Sequence, residues 1–150
     1  MSNSMHTHIE ERIKFGKKFI GIPYERGAAT PMKGENPQSF DCSSFMQFLF
    51  RYSGIEIPRS SILQAKDPAG HEVMESDIQP GDLVFMRSDQ GYYDDESFDG
   101  RKLYIGHVGM YCGDGTILHS KKSLGGVVLQ KLSELQQNPN YRTQIIKRFL

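Results

Sequence analysis

The sequence has no excess of either charge: Lys and Arg total 18, and so do Asp and Glu. That balance excludes a general binder of nucleic acid or of anionic membranes, which needs a basic surplus. Cysteine is scarce. The pair Cys42 and Cys112 allows one disulfide at most, and no cysteine–histidine cluster has zinc spacing. Neither an oxidising compartment nor a metal is indicated, and no organic cofactor motif is present. No apolar run approaches membrane-spanning length. The opening Met1-Ser2-Asn3-Ser4-Met5-His6-Thr7-His8 lacks the charged-then-apolar form of a signal peptide. Three settings stay open: inside the cell, export by another route, or a domain cut from a longer exported protein. No repeat or linker divides the chain, so the 150 residues read as a single domain, with residues 1–7 a flexible tail. Oligomeric state has no signature here.

What is present is aromatic and patterned. The 9 Phe and 7 Tyr fit a packed core. Around Ser39-Phe40-Asp41-Cys42-Ser43-Ser44-Phe45-Met46-Gln47-Phe48-Leu49-Phe50, Asp41 is a good N-cap. Phe45, Met46 and Leu49 share a helical face with Cys42, and Phe48 and Tyr52 lie on other sides. The spacing predicts a buried helix that Gly54 stops, with a thiol in its first turn. A helix N-terminus favours thiolate, lowering a pKa that is ordinarily about 8.5. Taken alone, the pattern also fits a small hydrophobe in a core helix.

The remainder orders itself around that helix. Thr7-His8-Ile9-Glu10 has the form of a capping box, predicting a helix over 8–20. Residues 25–38 read as an irregular loop, 59–65 as a short serine-capped helix, and 66–77 as a polar connection in which His71 has no partner pattern. Strands are predicted at 82–86, 106–112, 116–120, 127–130 and 145–149, with a helical turn at 133–136 and a break in rhythm over 87–104. Helices first and meandering strands after predict an α+β fold, with an antiparallel sheet packed on the Cys42 helix.

A nucleophilic thiol needs a base, and the base needs an orienting partner. His107 and His119 are the candidates, and their hairpin's register decides whether they meet. A two-residue turn at Asp114-Gly115 pairs His119 with Met110 and aims it at the wrong face. A three-residue loop, Gly113-Asp114-Gly115, pairs it with Gly109 and puts both imidazoles on one face, about 7–8 Å apart at the backbone end. Gly115 suits the left-handed position that closes such a loop. The same parity sends Cys112 to the opposite, core face.

In combination these stretches resemble the NlpC/P60 family of papain-like cysteine peptidases, over roughly residues 16–130. The resemblance rests on six segments in the family's order: Gly21-Ile22-Pro23-Tyr24, Phe40-Asp41-Cys42-Ser43-Ser44-Phe45, Pro58-Arg59-Ser60-Ser61 with Gln64, Pro80-Gly81-Asp82-Leu83-Val84-Phe85, Gly106-His107-Val108-Gly109-Met110-Tyr111 and Ile117-Leu118-His119-Ser120. It implies a papain-like fold and hydrolysis of peptidoglycan stem peptides or muropeptides, commonly between D-γ-glutamate and a diamino acid such as meso-diaminopimelate or lysine. Cys42 would be the nucleophile, His107 the base and then the acid, and His119 its orienting partner. Tyr24 would help hold the oxyanion, and Asp41 and Ser43 would line the substrate's N-terminal side. The rivals are a poly-γ-glutamate hydrolase, a cell-wall amidase, or a silent peptide-binding module of the same shape. Two departures stand out. Ser44 occupies a position that is usually Gly, where its hydroxymethyl would narrow a subsite. The 87–106 segment, carrying Tyr92 and Tyr93, is long for the family and is expected to border the cleft and favour a free amine or an amidated stem.

Overall fold

The computed structural model describes residues 3–88 and 94–149. Its first helix, α1, spans Asn3–Lys17. It therefore starts ahead of the predicted capping box, and residues 3–7, expected as tail, form its opening turns. Nothing between Asn3 and Lys17 forbids this: no proline intervenes, and a mid-helix threonine can bond back to its own backbone. The helix also ends early, in a tightened turn at residues 18–20, which leaves Ile20 exposed.

Helix α2, Cys42–Tyr52, is the core element the spacing predicts, with every residue from Ser43 to Phe50 buried. Phe40, Phe45 and Leu49 are fully buried, and Phe15 from α1 stacks on Tyr52 with centroids 3.8 Å apart. Gly54 follows with φ +80°, the left-handed stop. Helix α3, Ser61–Lys66, begins at Ser60, whose side chain accepts from the Leu63 N–H.

The strands are β1 (Gly70–Glu72), β2 (Leu83–Met86), β3 (Asp94–Phe98), β4 (Arg101–Tyr104), β5 (His107–Gly113), β6 (Thr116–Lys121), β7 (Gly126–Lys131) and β8 (Thr143–Phe149), with a short helix α4 at Leu132–Leu135. Six of them form one antiparallel sheet in the order β1-β8-β2-β5-β6-β7. The three helices cover one face, with Val108, Met110 and Leu118 beneath them. The opposite face buries Val84, Met86, Ile117 and Ile146 against Leu135 and Tyr141. Strand β2 is consequently buried throughout, as an apolar run with both faces covered should be.

Two elements escaped the sequence reading. Strand β1 is short and polar and is placed by its pairing with β8. The β3–β4 hairpin lies in the long 87–106 segment, where Phe98, Leu103 and Ile105 enter the core and Arg101 pairs with Glu72. Tyr92 and Tyr93 fall outside the described residues. No described helix is long and apolar enough to cross a membrane.

Candidate active site

The site begins with the cap of α2. Asp41 Oδ1 accepts from the Ser44 N–H at 2.8 Å, and Ser44 Oγ accepts from the Asp41 N–H at 2.9 Å. This reciprocal cap accounts for Ser44. Its hydroxyl points into the protein, fully buried, and narrows no subsite. Asp41 Oδ2 accepts from Arg59 Nη2 at 2.7 Å and from the Gly27 N–H at 3.1 Å. Arg59 Nη1 also donates to Ser43 Oγ at 2.9 Å. Burial opposes ionisation of Asp41, yet the Arg59 guanidinium and the Ser44 N–H outweigh it and hold the carboxyl below its ordinary value. Asp41, Ser43 and Arg59 thus form one braced cluster beside the thiol. Arg59 stood in a quoted segment, but only the fold brings it to Asp41.

Cys42 is partly exposed. Contrary to the expected thiolate, burial pushes the thiol up to about 11, and the neighbouring Asp41 charge adds to the rise. Hydrogen bonds from the backbone at Val108 and Ser43 pull the other way and do not overcome it. The helix end is real, but desolvation and an adjacent carboxylate dominate it.

The two histidines meet. His107 Nε2 and His119 Nδ1 are 2.7 Å apart, with both rings buried. The register is the one that pairs His119 with Gly109: Met110 opposes Leu118 and Tyr111 opposes Ile117, and a Cβ added to Gly109 would sit 3.0 Å from His119 Cβ. The route to that register differs from the expected three-residue loop. Asp114 and Gly115 take φ of +53° and +73°, a two-residue turn of the primed type. A bulge between Tyr111 and Gly113 then restores the parity that such a turn alone would lose. Cys112 packs against the helix-side core, as the parity required.

Gln130, on β7, completes the chain. His119 Nε2 lies 2.8 Å from Gln130 Oε1, which can only accept, so that nitrogen carries its proton. A neutral His119 then has a bare Nδ1, which accepts from His107 Nε2–H. His107 is left with an unprotonated Nδ1, the atom a base requires. Burial holds both imidazoles neutral: His107 lies well below its ordinary value, with His119 and Lys121 adding to the effect, and His119 is lowered to about 4. Gln130 was not singled out in the sequence. Its signal is parity, since His119 pairs with Val128 and Gln130 is two residues along the same face.

Tyr24 is brought in by a close approach of backbones. Pro23 bridges Gly126, and Tyr24 bridges Phe40. Gly126 has φ +150°, and a Cβ there would lie 2.0 Å from the Ile22 carbonyl oxygen, so only glycine fits. Burial and the nearby Cys42 and Asp41 keep the Tyr24 hydroxyl protonated. Tyr24, Asp41, Cys42, Ser43 and His107 all line one cleft of about 1040 Å³, with His119 behind His107. Of the 87–106 segment, only Ser88 and Gly106 line it among the described residues. Tyr141 and Lys121 were not anticipated: the Tyr141 ring stands edge-on to His107 at 5.5 Å, and Lys121 Nζ lies 4.5 Å over that ring. The wall of this cleft therefore holds both a thiol and an imidazole with an unprotonated nitrogen.

Comparison with known proteins gives concordant results. Residues 21–145 match the model of the NlpC/P60 family. The chain is 37% identical over 125 residues to a gamma-D-glutamyl-L-lysine dipeptidyl-peptidase of Bacillus subtilis, covering 83% of this chain and 36% of that protein. It is 32% identical over 123 residues to a gamma-DL-glutamyl hydrolase of the same species, covering 81% of this chain and 25% of that one. The chain therefore spans about a third or less of the length of these relatives. Among solved structures, the P60 domain of a Mycobacterium avium subspecies paratuberculosis antigen superposes with TM-score 0.70 at 29% identity, covering 95% of each chain.

Proposed function

The chain belongs to the NlpC/P60 family, and from that premise we propose that it is a cysteine peptidase of peptidoglycan stem peptides, cutting the amide between D-γ-glutamate and the following diamino acid. The observation that carries this reading is the relay Gln130–His119–His107 at the wall of the cleft that holds Cys42. A silent binding module has no need of an imidazole whose proton is dictated by two successive hydrogen bonds.

The steps follow from the atoms. Cys42 and His107 are both neutral at rest, so attack and proton transfer are coupled: the thiol proton passes to His107 Nδ1 as sulfur attacks the γ-carbonyl. The oxyanion lies against the Cys42 N–H, one of the unpartnered donors that open α2, and the Tyr24 hydroxyl. The new imidazolium is supported by His119 Nδ1, and it returns its proton to the leaving amine as the C–N bond breaks. Water, deprotonated by His107, then adds to the thioester and releases the γ-carboxylate and the thiol. Asp41, Ser43 and Arg59, bonded together beside the thiol, suit the polar N-terminal part of the stem.

A second reading, hydrolysis of γ-linked glutamate polymers, is supported by the 32% identical relative named gamma-DL-glutamyl hydrolase. It uses the same acyl chemistry with a different leaving residue. Mass spectrometry of defined muropeptides and of poly-γ-glutamate after incubation tests both, because the new termini name the bond cut. Cleavage at γ-D-glutamate that vanishes in Cys42→Ala is the expected result. Cleavage that survives that substitution overturns the mechanism.

A further inference from the structure

The cleft is unevenly charged, and the unevenness follows the direction of the proposed reaction. Around the thiol, Asp41 is bound to Arg59, and Arg26 also lines the cleft near Tyr24. Asp41 is also the one carboxylate among the described residues that line the cleft. Two further cations, with no carboxylate beside them, stand near His107: Lys121 and Lys122. Lys121 is two residues past His119 on β6, so it shares the face that carries the imidazoles. Its ammonium lies over the Tyr141 ring and donates to Ser123 Oγ, and the ring stands edge-on to His107. Lys122, next to Lys121 in sequence, also lines the cleft, with Ser123 and Asn138. The charge of Lys121 is felt at both histidines, where it opposes protonation.

A leaving amine that takes its proton from His107 must lie on the His107 side of the sulfur. The residue carrying that amine then projects over Tyr141 toward Lys121 and Lys122. A second ammonium standing alone on that residue would meet two like charges, whereas a carboxylate, with or without an ammonium beside it, would be attracted. We propose that Lys121 and Lys122 select a leaving residue whose side chain carries a free carboxylate, as diaminopimelate does beside its distal ammonium, over one whose side-chain ammonium stands without a carboxylate, as in lysine or in the side-chain amide. This inference rests on the peptidase reading above. It departs from the L-lysine in the name of the Bacillus subtilis relative, and it runs opposite to the expectation that the 87–106 segment favours a free amine or an amidated stem.

The test compares kcat/KM on L-Ala-γ-D-Glu-X with X as meso-diaminopimelate, its side-chain amide or L-lysine, with γ-D-Glu-L-Glu as a further arm for the glutamate polymer. The three stem peptides share the acyl group and the scissile bond, so any effect of Lys121 on His107 cancels in their ratios. The wild type should prefer the free carboxylate by about five- to twentyfold, and the double variant Lys121→Met, Lys122→Ser should bring the preference below about twofold. Raising salt toward 0.5 M should shrink it as well, because exposed charges are screened. A wild-type preference for lysine or for the amide, or a ratio the double variant leaves unchanged, overturns the proposal. Cys42→Ala protein, which cannot turn over, supplies an independent readout by calorimetric titration with the same peptides. Tighter binding of the diaminopimelate peptide without wild-type cleavage would remove the peptidase reading and keep the selectivity. Equal binding of all peptides would remove the selectivity. A stronger γ-D-Glu-L-Glu arm, with Lys121 and Lys122 still decisive, would keep the selectivity and assign it to the glutamate polymer.

Discussion

Replacing Gln130 should act on catalysis through a proton it never touches. In the native site Gln130 Oε1 accepts from His119 Nε2–H at 2.8 Å, and this bond forces the tautomer that leaves His107 Nδ1 bare. Gln130→Leu removes the acceptor. His119 is fully buried, so its Nε2–H would stand unsatisfied, at about 1–3 kcal/mol. The pair can escape by moving both protons: His119 donates from Nδ1, His107 accepts at Nε2, and His107 Nδ1 becomes protonated. That state cannot take the thiol proton. A shift of about 1–2 kcal/mol between the tautomer pairs reduces the competent fraction by roughly 5- to 30-fold. The expected result is a fall in kcat of that size with KM little changed, since Gln130 does not line the cleft. Gln130→Glu keeps an acceptor at the same place, so it should retain kcat within about threefold. Nitrogen-15 NMR of the imidazoles reads the tautomer directly, and thermal melts separate a folding defect from a wrong proton. Wild-type kcat in Gln130→Leu, or equal losses in the Leu and Glu variants, would refute the relay.

Other consequences can be checked separately. Cys42 and Cys112 are both pushed up to about 11 by burial, so helix position alone does not make Cys42 reactive. Iodoacetamide at neutral pH should label Cys42 well ahead of Cys112, and His107→Ala should erase most of that lead, as peptide mass spectrometry would show; an unchanged lead would remove His107 as the base. His119 is lowered from 6.5 to about 4, so the unfolded chain binds its proton more readily than the native one between those values. Its contribution is therefore complete above pH 6.5 and declines as pH falls toward 4, by an amount on the order of 2–3 kcal/mol. Urea midpoints measured across that window should fall with acidity in the wild type and fall less in His119→Gln; parallel pH profiles would contradict the assignment. Gly126→Ala sets a Cβ 2.0 Å from the Ile22 oxygen at φ +150°, and it should cost several kcal/mol in thermal unfolding. It should also depress kcat in the protein that remains folded, because the same contact carries Tyr24; a melting temperature within a few degrees of wild type would argue against a tight fit.

Much of the site was legible because its parts are local or depend on parity. The α2 cap, the thiol in its first turn and the left-handed stop at Gly54 are written within thirteen consecutive positions from Cys42 onward and the residue before it. The shared face of His107 and His119 follows from counting by twos. The device behind that parity was not legible. A three-residue loop and a two-residue turn with a bulge give the same facing, and only the fold distinguishes them. Residues 3–7 joined α1 because nothing local stopped a helix already held by packing, and β1 became a strand because β8 offered it an edge.

By itself the sequence determined which side chains are chemically able to act, and on which face of their own element each would lie. These are properties of helical and strand periods, and they need no partner. The tertiary structure alone decided the Arg59 brace on Asp41, the acceptor Gln130, and the Lys121–Tyr141 wall beyond His107. It also raises the Cys42 thiol above its ordinary value, through burial. Proton affinity is set by the solvent and charges that surround a group; for Cys42 the Asp41 charge is next in sequence, but the larger effect, burial, exists only once the sheet closes over α2.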